Sequence, residues 1–361
     1  RIEIPDYFAR EYIIAMALSK NGSKVAIGSR NGEVRIWNLN QNGKALSDIP
    51  TIIDRSNGLR GKVSKIALSE NGERMITTSN YNEVRVWNLD RNGKLLDDGA
   101  ADTLKIELTH SLDMISSLDI SEDGKRVVIG LRSGPVKILN LDESGRVVGP
   151  PYDLPRTPIS LVNSVAISKD NRSVTVGGAD GMVRVWRLDE DGGVVELFFL
   201  MNGPYHSEIL SVGFGESGNK VVAGLVNGRT YIWDLDEEAL SLEGYKMINK
   251  PDIILGEEGD AGIVLVKFSD GDNKLLTVSR DGSSWGILKM WRLGSSQEEC
   301  KNTVTLPIIC AIEKEQLSDE EKELLQNEID FDEVFISEIA DYLIRKLGVE
   351  PRQFPGDRED I

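Results

Sequence analysis

The sequence predicts an all-β protein, a β-propeller of small four-stranded antiparallel sheets, with a short α-helical C-terminal tail. Three observations predict it. One block recurs six times: an apolar run ending in Ser or Gly, a Gly- or Asn-bearing turn, a second apolar run, another turn, and a third run closing on Trp-x-Leu or its equivalent. The closing landmarks Trp37, Trp87, Leu139, Trp186, Trp233 and Trp291 stand 47 to 58 residues apart, the length of one four-stranded blade with its connection. Each run is short, rich in β-branched residues and bounded by turn formers, which is a strand pattern rather than a helical one.

The second block displays the elements in order. Residues 63–69 form the first strand, Glu70-Asn71-Gly72 the turn, 74–78 the second strand, Asn80-Tyr81-Asn82 the next turn and 83–89 the third strand. After a connection through Arg91-Asn92-Gly93, residues 104–108 supply the fourth. In the first strands one parity carries Leu18, Leu68, Ile120, Ile167, Phe214 and Phe268, and the other carries Ala17, Ala67, Asp119, Ala166, Gly213 and Lys267. Side chains alternate across a strand, so the bulky set faces one neighbour and the small set the other. A sheet apolar on both faces must be covered twice, and a ring of sheets does that while leaving only short edges.

Fourth-strand candidates number seven: 2–4, 51–53, 104–108, 152–154, 194–200, 252–255 and 303–306, against six three-strand sets. The surplus strand favours a seven-bladed parent of which six blades are visible, with the chain, which opens on Arg1 rather than Met, beginning inside the first blade. A closed six-bladed ring with one terminal strand left over is the alternative. The expected division is a propeller over 1–307 and an acidic helical tail over 308–361. In the tail Ser318-Asp-Glu-Glu321 reads as a capping box. A second helix over 333–347 repeats Ile336, Ile339, Leu343 and Leu347 on one stripe, fit either to dock on the propeller or to bind a partner.

Formal charge is −17, of which residues 296–361 hold −11 from 18 acidic and 7 basic side chains. Such a chain repels phosphate backbones, so nucleic acid is not an expected partner. No apolar stretch approaches the roughly 18 to 20 residues needed to cross a bilayer, so no membrane role is expected. The two cysteines, Cys300 and Cys310, offer no disulfide framework, which fits a reducing, cytoplasmic setting.

The blocks resemble the WD-repeat family of β-propellers through Val-Ala-Ile-Ser-Lys-Asp-Asn at 165–171, Gly-Gly-Ala-Asp-Gly-Met-Val-Arg-Val-Trp-Arg-Leu-Asp at 177–189 and their counterparts. The resemblance covers about residues 1–307. The family's Gly-His pair before the first strand is missing, and only Asp180 and Asp281 keep the Asp of the turn before the third strand. Its His-Ser-Asp-Trp hydrogen-bond relay is therefore expected to be mostly lost, with apolar packing holding the blades. Cys310, Leu317-Ser318 and Glu320-Glu321 are similar to a tail closing WD-repeat regions of bacterial STAND-class signalling ATPases, although Lys322 stands where that family has Trp and no P-loop occurs in the chain. That similarity implies, at most, upstream ATPase or effector domains with the propeller as their sensor.

Catalytic chemistry finds few candidates. The only histidines, His110 and His206, sit in loops without the partners of a metal site or a catalytic triad, and no cofactor or metal is expected. The Asp189–Gly192 run lacks the further ligands of a calcium loop and reads as a hairpin turn. Asp119 and Lys267 interrupt the small-residue parity and are the channel candidates, able to fix a small ligand or simply to pair locally.

Loops entering first strands and loops joining second to third strands share one rim, which the family resemblance implies is the partner surface. That rim carries Tyr12, Arg30, Arg60, Lys62, Tyr81, His110, Arg132, Arg156, Tyr205, His206 and Arg280. The opposite rim carries Asp142-Glu143, Asp189-Glu190-Asp191 and Asp236-Glu237-Glu238. Arg and Tyr are enriched at interface hot spots. The leading expectation is a noncatalytic scaffold or sensor that binds a protein or peptide on the first rim. The alternatives are a propeller hydrolase using channel carboxylates such as Asp119, and the ligand-sensing region of a larger STAND-type ATPase.

Overall fold

The computed structural model describes residues 13–307 apart from short loop segments, the longest at 107–113, 236–244 and 294–300. The expected strand at 2–4 and the helical tail at 308–361 lie outside the described residues. Within them the chain forms six antiparallel sheets, each walking in sequence order from an inner to an outer strand. The first holds β1 (Ile13–Leu18), β2 (Lys24–Ser29), β3 (Val34–Asn38) and β4 (Thr51–Ile53), and the second β5 (Val63–Leu68), β6 (Arg74–Ser79), β7 (Glu83–Asn88) and β8 (Asp102–Lys105). The third holds β9 (Ile115–Ile120), β10 (Arg126–Leu131), β11 (Val136–Leu141) and β12 (Val147–Asp153). The fourth holds β13 (Val162–Ile167), β14 (Ser173–Gly178), β15 (Met182–Leu188) and β16 (Val194–Met201), and the fifth β17 (Ile209–Phe214), β18 (Lys220–Leu225) and β19 (Thr230–Asp234). Next in the chain, β20 (Tyr245–Ile248) leaves the fifth sheet and pairs in parallel with β16, before β21 (Ile253–Leu255) completes the fifth sheet. The sixth holds β22 (Gly262–Ser269), β23 (Lys274–Arg280), β24 (Gly286–Arg292) and β25 (Lys301–Pro307).

Two outer strands, β12 and β8, depart most from their expected bounds. β12 begins at Val147, five residues before the expected 152–154, because Gly149-Pro150-Pro151 interrupts the apolar run without ending the strand. Proline lacks a ladder donor but is tolerated at an edge, and β12 pairs only with β11. β8 lies two residues earlier than expected. The parallel strand β20 was not legible at all; it covers the outer edge of the fourth sheet, which limits edge pairing.

The expected two-faced packing is present. Ala15, Ile36 and Ile53 of the first sheet pack on Val63, Ile66, Met75 and Trp87 of the second. The same relation recurs at each following junction, so that Val128 and Ile138 meet Val165 and Trp186, and Val222 and Ile232 meet Val266 and Phe268. Trp87, Trp186 and Trp233 are fully buried. A register shift recurs near the start of the inner strand in all six sheets, as between Val63 and Lys65 or Ile209 and Ser211. Such bulges raise local twist and re-aim the residues beside them.

Apolar packing does not act alone, as the sequence had suggested it would. Ser117, Ser164 and Ser211, just past the bulge, each accept from a backbone N–H of the next inner strand, at Val165, Val212 and Val266 (3.0, 3.1 and 3.2 Å). The indole of Trp87 donates to Thr77 Oγ1 at 2.8 Å, that of Trp291 to Thr277 Oγ1 at 3.0 Å, and that of Trp186 to the Pro155 carbonyl at 3.0 Å. Part of the indole relay is thus retained.

The rim at the first-to-second-strand turns carries stronger ties. Arg74 donates to the carbonyls of Gly124, Asp142 and Glu143 in the third sheet at 3.2, 2.9 and 2.8 Å. Arg126, only 8% exposed, repeats this one sheet on, reaching Asn171 O at 2.7 Å and Glu190 O at 3.1 Å. Lys24 reaches Asn71 O at 3.1 Å, Asn88 reaches Ser144 O at 2.7 Å, and Asn38 reaches Asn92 O. Hydrogen bonds from ionised donors are the stronger class, so each clamp fixes the hairpins of its neighbour.

Candidate functional site

At the other rim, in the second to fifth sheets, the loop entering the inner strand is joined to the turn between second and third strands of the same sheet. Asn80 N–H donates to Lys62 O at 3.2 Å and Lys62 N–H to Asn80 Oδ1 at 2.7 Å. Arg132 N–H donates to Met114 O at 2.9 Å, Ala179 N–H to Leu161 O at 3.0 Å and Val226 N–H to Glu208 O at 3.0 Å. The two loop sets therefore do share one surface. On it Arg30, Arg60, Lys62, Tyr81 and Arg132 are exposed and Arg280 is half-buried. Tyr12, His110, Arg156, Tyr205 and His206 lie outside the described residues.

The loops of the first two sheets are drawn together by glycine. Gly32 and Gly61 have φ of +85° and +75°. A Cβ on Gly32 would strike the Gly61 carbonyl, and one on Gly61 would strike Asn80 Oδ1 and stand 2.7 Å from the Tyr81 ring. Only glycine permits both the conformation and the approach. The Tyr81 ring consequently lies against the Gly61 backbone and stays 58% exposed.

The acids of these loops are engaged within the fold. Glu33 pairs with Arg35, and Glu83 with Arg85 at 3.0 Å. Asp54 accepts from the Ser56 hydroxyl at 2.6 Å and its N–H at 2.7 Å, capping a one-turn 3₁₀ segment at Arg55–Asn57. Those bonds, the hydroxyl foremost, hold its carboxyl below its ordinary pKa. Over the fifth and sixth sheets the rim changes sign, with Glu208, Glu257 and Asp260 on its loops. Glu208 accepts from Asn163 Nδ2 at 2.8 Å and Asp260 meets Lys289 at 3.5 Å.

Sequence reasoning passed over Met114 and Val226, which add 49% and 47% exposed apolar side chains to this rim. Each adjoins an apolar strand, so the pattern reads it as core. Only the backbone pairing of the two loops shows otherwise.

Inside the ring, inner-strand side chains of different sheets converge. Lys20, just past β1, meets Glu122, just past β9, at 3.8 Å. Burial raises the Glu122 carboxyl and Lys20 lowers it again, with Lys169, Glu70 and Glu216 also within electrostatic range. Asp119 Oδ1 accepts from Ile120 N–H and Oδ2 from Ile167 N–H, both at 2.9 Å, so the carboxylate ties the third sheet to the fourth. Burial raises its pKa, opposed by Lys20, these two N–H groups and Lys267. Solvent reaches Lys267, yet the protein around it desolvates its charge and, with Lys20, lowers its pKa. Asp119 and Lys267 lie within electrostatic range of each other, among a mixed set of charges.

Among the described residues no group of three or more His, Cys, Asp or Glu could hold a metal ion, and no helix is long and apolar enough to cross a membrane. A comparison with curated proteins finds no match. The family model described as WD domain, G-beta repeat matches residues 8–38 and 157–187. The two matches end beside Trp37 and Trp186, at the third strands of the first and fourth sheets, and the other sheets repeat the same strand order and Trp or Leu landmark. Repeats matched at two places and six sheets built alike fit a WD-repeat β-propeller.

Proposed function

We propose that this chain is a noncatalytic protein-interaction module, a scaffold or a sensor, that holds a protein or peptide partner on the Arg- and Tyr-bearing rim. The observation that carries the reading is the contrast in how the two rims use their cations. Lys24, Arg74 and Arg126 are committed to neighbouring carbonyls, while Arg60, Lys62 and Arg132 are exposed on the rim that carries Tyr81 and Met114. Exposed Arg and Tyr on rigid, hydrogen-bonded loops are the residue types that anchor interfaces. WD repeats generally serve protein association, which agrees. A cytoplasmic setting fits the cysteine usage. The hydrolase alternative gains nothing from Asp119, whose two oxygens already accept backbone N–H groups.

Affinity capture from extract of the cell that makes the protein tests this reading. A rim variant, Arg30, Arg60 and Arg132 to Ala, is compared with a far-rim variant, Asp142 and Glu143 to Asn and Gln. The rim variant should lose the captured partners while keeping its melting temperature, and the far-rim variant should keep them. Equal capture by both variants would overturn the reading.

A further inference from the structure

We propose that the strip of rim over the first two sheets is the docking site for an acidic segment of the protein partner, with Tyr81 receiving an apolar side chain of that segment. This rests on the rim being the partner surface. Arg60 and Lys62 flank Gly61 on one loop and Arg30 stands on a second, which the Gly32–Gly61 approach presses against the first, and all three are exposed. Of the acids among the same loops, Glu33 and Glu83 are paired with Arg35 and Arg85, and Asp54, which caps its own turn and keeps its charge, is followed by the exposed Arg55. In a chain of net charge −17 this is a local reversal of sign, and the same rim turns acidic at Glu208 and Glu257. A field of this shape attracts an acidic segment to one sector and repels it from the other, setting orientation as well as attachment. Tyr81 supplies what charge does not: its ring lies close to Gly61 along the Cδ2–Cε2 edge and more than half of the residue is open, an apolar surface among cations. Arg guanidinium groups beside it suit bidentate capture of carboxylates.

The test is fluorescence anisotropy of the intact chain with a short labelled Glu/Asp peptide carrying one leucine, against a matched Lys/Arg peptide. The acidic peptide should bind and the basic one should not, and binding should weaken steadily as salt rises. Arg60→Ala with Lys62→Ala should weaken it about tenfold or more. Tyr81→Ala should weaken it with the salt dependence unchanged, and Tyr81→Phe should restore it. Equal binding of both peptides, or binding of the acidic peptide indifferent to the strip variants, would overturn the proposal. Acidic-peptide binding that first strengthens as salt rises would also overturn it, since the acidic 308–361 segment of the chain itself would then be the occupant. Should the rim variant lose its natural partners while the acidic peptide fails to bind, the partner chemistry is wrong and the interaction reading stands.

Discussion

The two rims of this propeller hold similar side chains and put them to opposite uses. On the rim of the first-to-second-strand turns, Arg74 and Arg126 reach across to carbonyls of the next sheet and their heads are consumed in structure. On the other rim, loops are closed by their own backbone groups and by Asn80 and Asp54, and Arg60 and Arg132 stay exposed. The type of a residue therefore does not decide its role. What decides it is whether an unsatisfied carbonyl lies within reach.

The largest effect that could break this contrast is expected at Arg126. Its replacement by Ala removes a buried guanidinium and strands the carbonyls of Asn171 and Glu190, at a cost of about 2–4 kcal/mol in urea denaturation. Gly61→Ala comes next: the positive φ and the collision with Asn80 and Tyr81 should cost about 1–3 kcal/mol. It should also weaken partner capture, because it displaces Tyr81, so one variant reports on both stability and the rim.

A smaller effect concerns pH. Burial raises the Asp119 carboxyl above its ordinary 3.8, so its contribution to stability is complete below that value and is lost as pH rises through the folded one. Asp119→Asn does not titrate, and its stability relative to the parent chain should therefore climb as pH rises above about 4. A flat difference across that range would mean the carboxylate is solvated as an ordinary surface acid. Smallest of all, Arg30→Ala should change the unfolding free energy by no more than about 0.5 kcal/mol.

Much of the fold was legible in the sequence. Alternation in strands such as 63–69 and the spaced Trp-x-Leu landmarks located every inner sheet, because burial on two faces imposes a period that composition cannot hide. Three features escaped for physical reasons. The strand β20 lies in an insertion and pairs in parallel with a distant segment, and parallel pairing leaves no turn signature. β12 runs through two prolines, which read as a break unless its edge position is known. The clamps of Lys24, Arg74 and Arg126 do recur two residues after a turn glycine, but their acceptors are backbone carbonyls, which carry no sequence identity. The same blindness applies to the rim: its residues were named from loop positions, whereas Met114 and Val226 look like core and the change of sign toward Glu208 and Asp260 depends on how the loops are seated.

One pair of urea titrations tests the division of labour between the rims most directly. The variant Arg30, Arg60 and Arg132 to Ala is expected to unfold at the midpoint of the parent chain, while Arg74 and Arg126 to Ala unfolds at markedly lower urea. A comparable fall in both midpoints would contradict the account, since the exposed cations would then be part of what holds the sheets together.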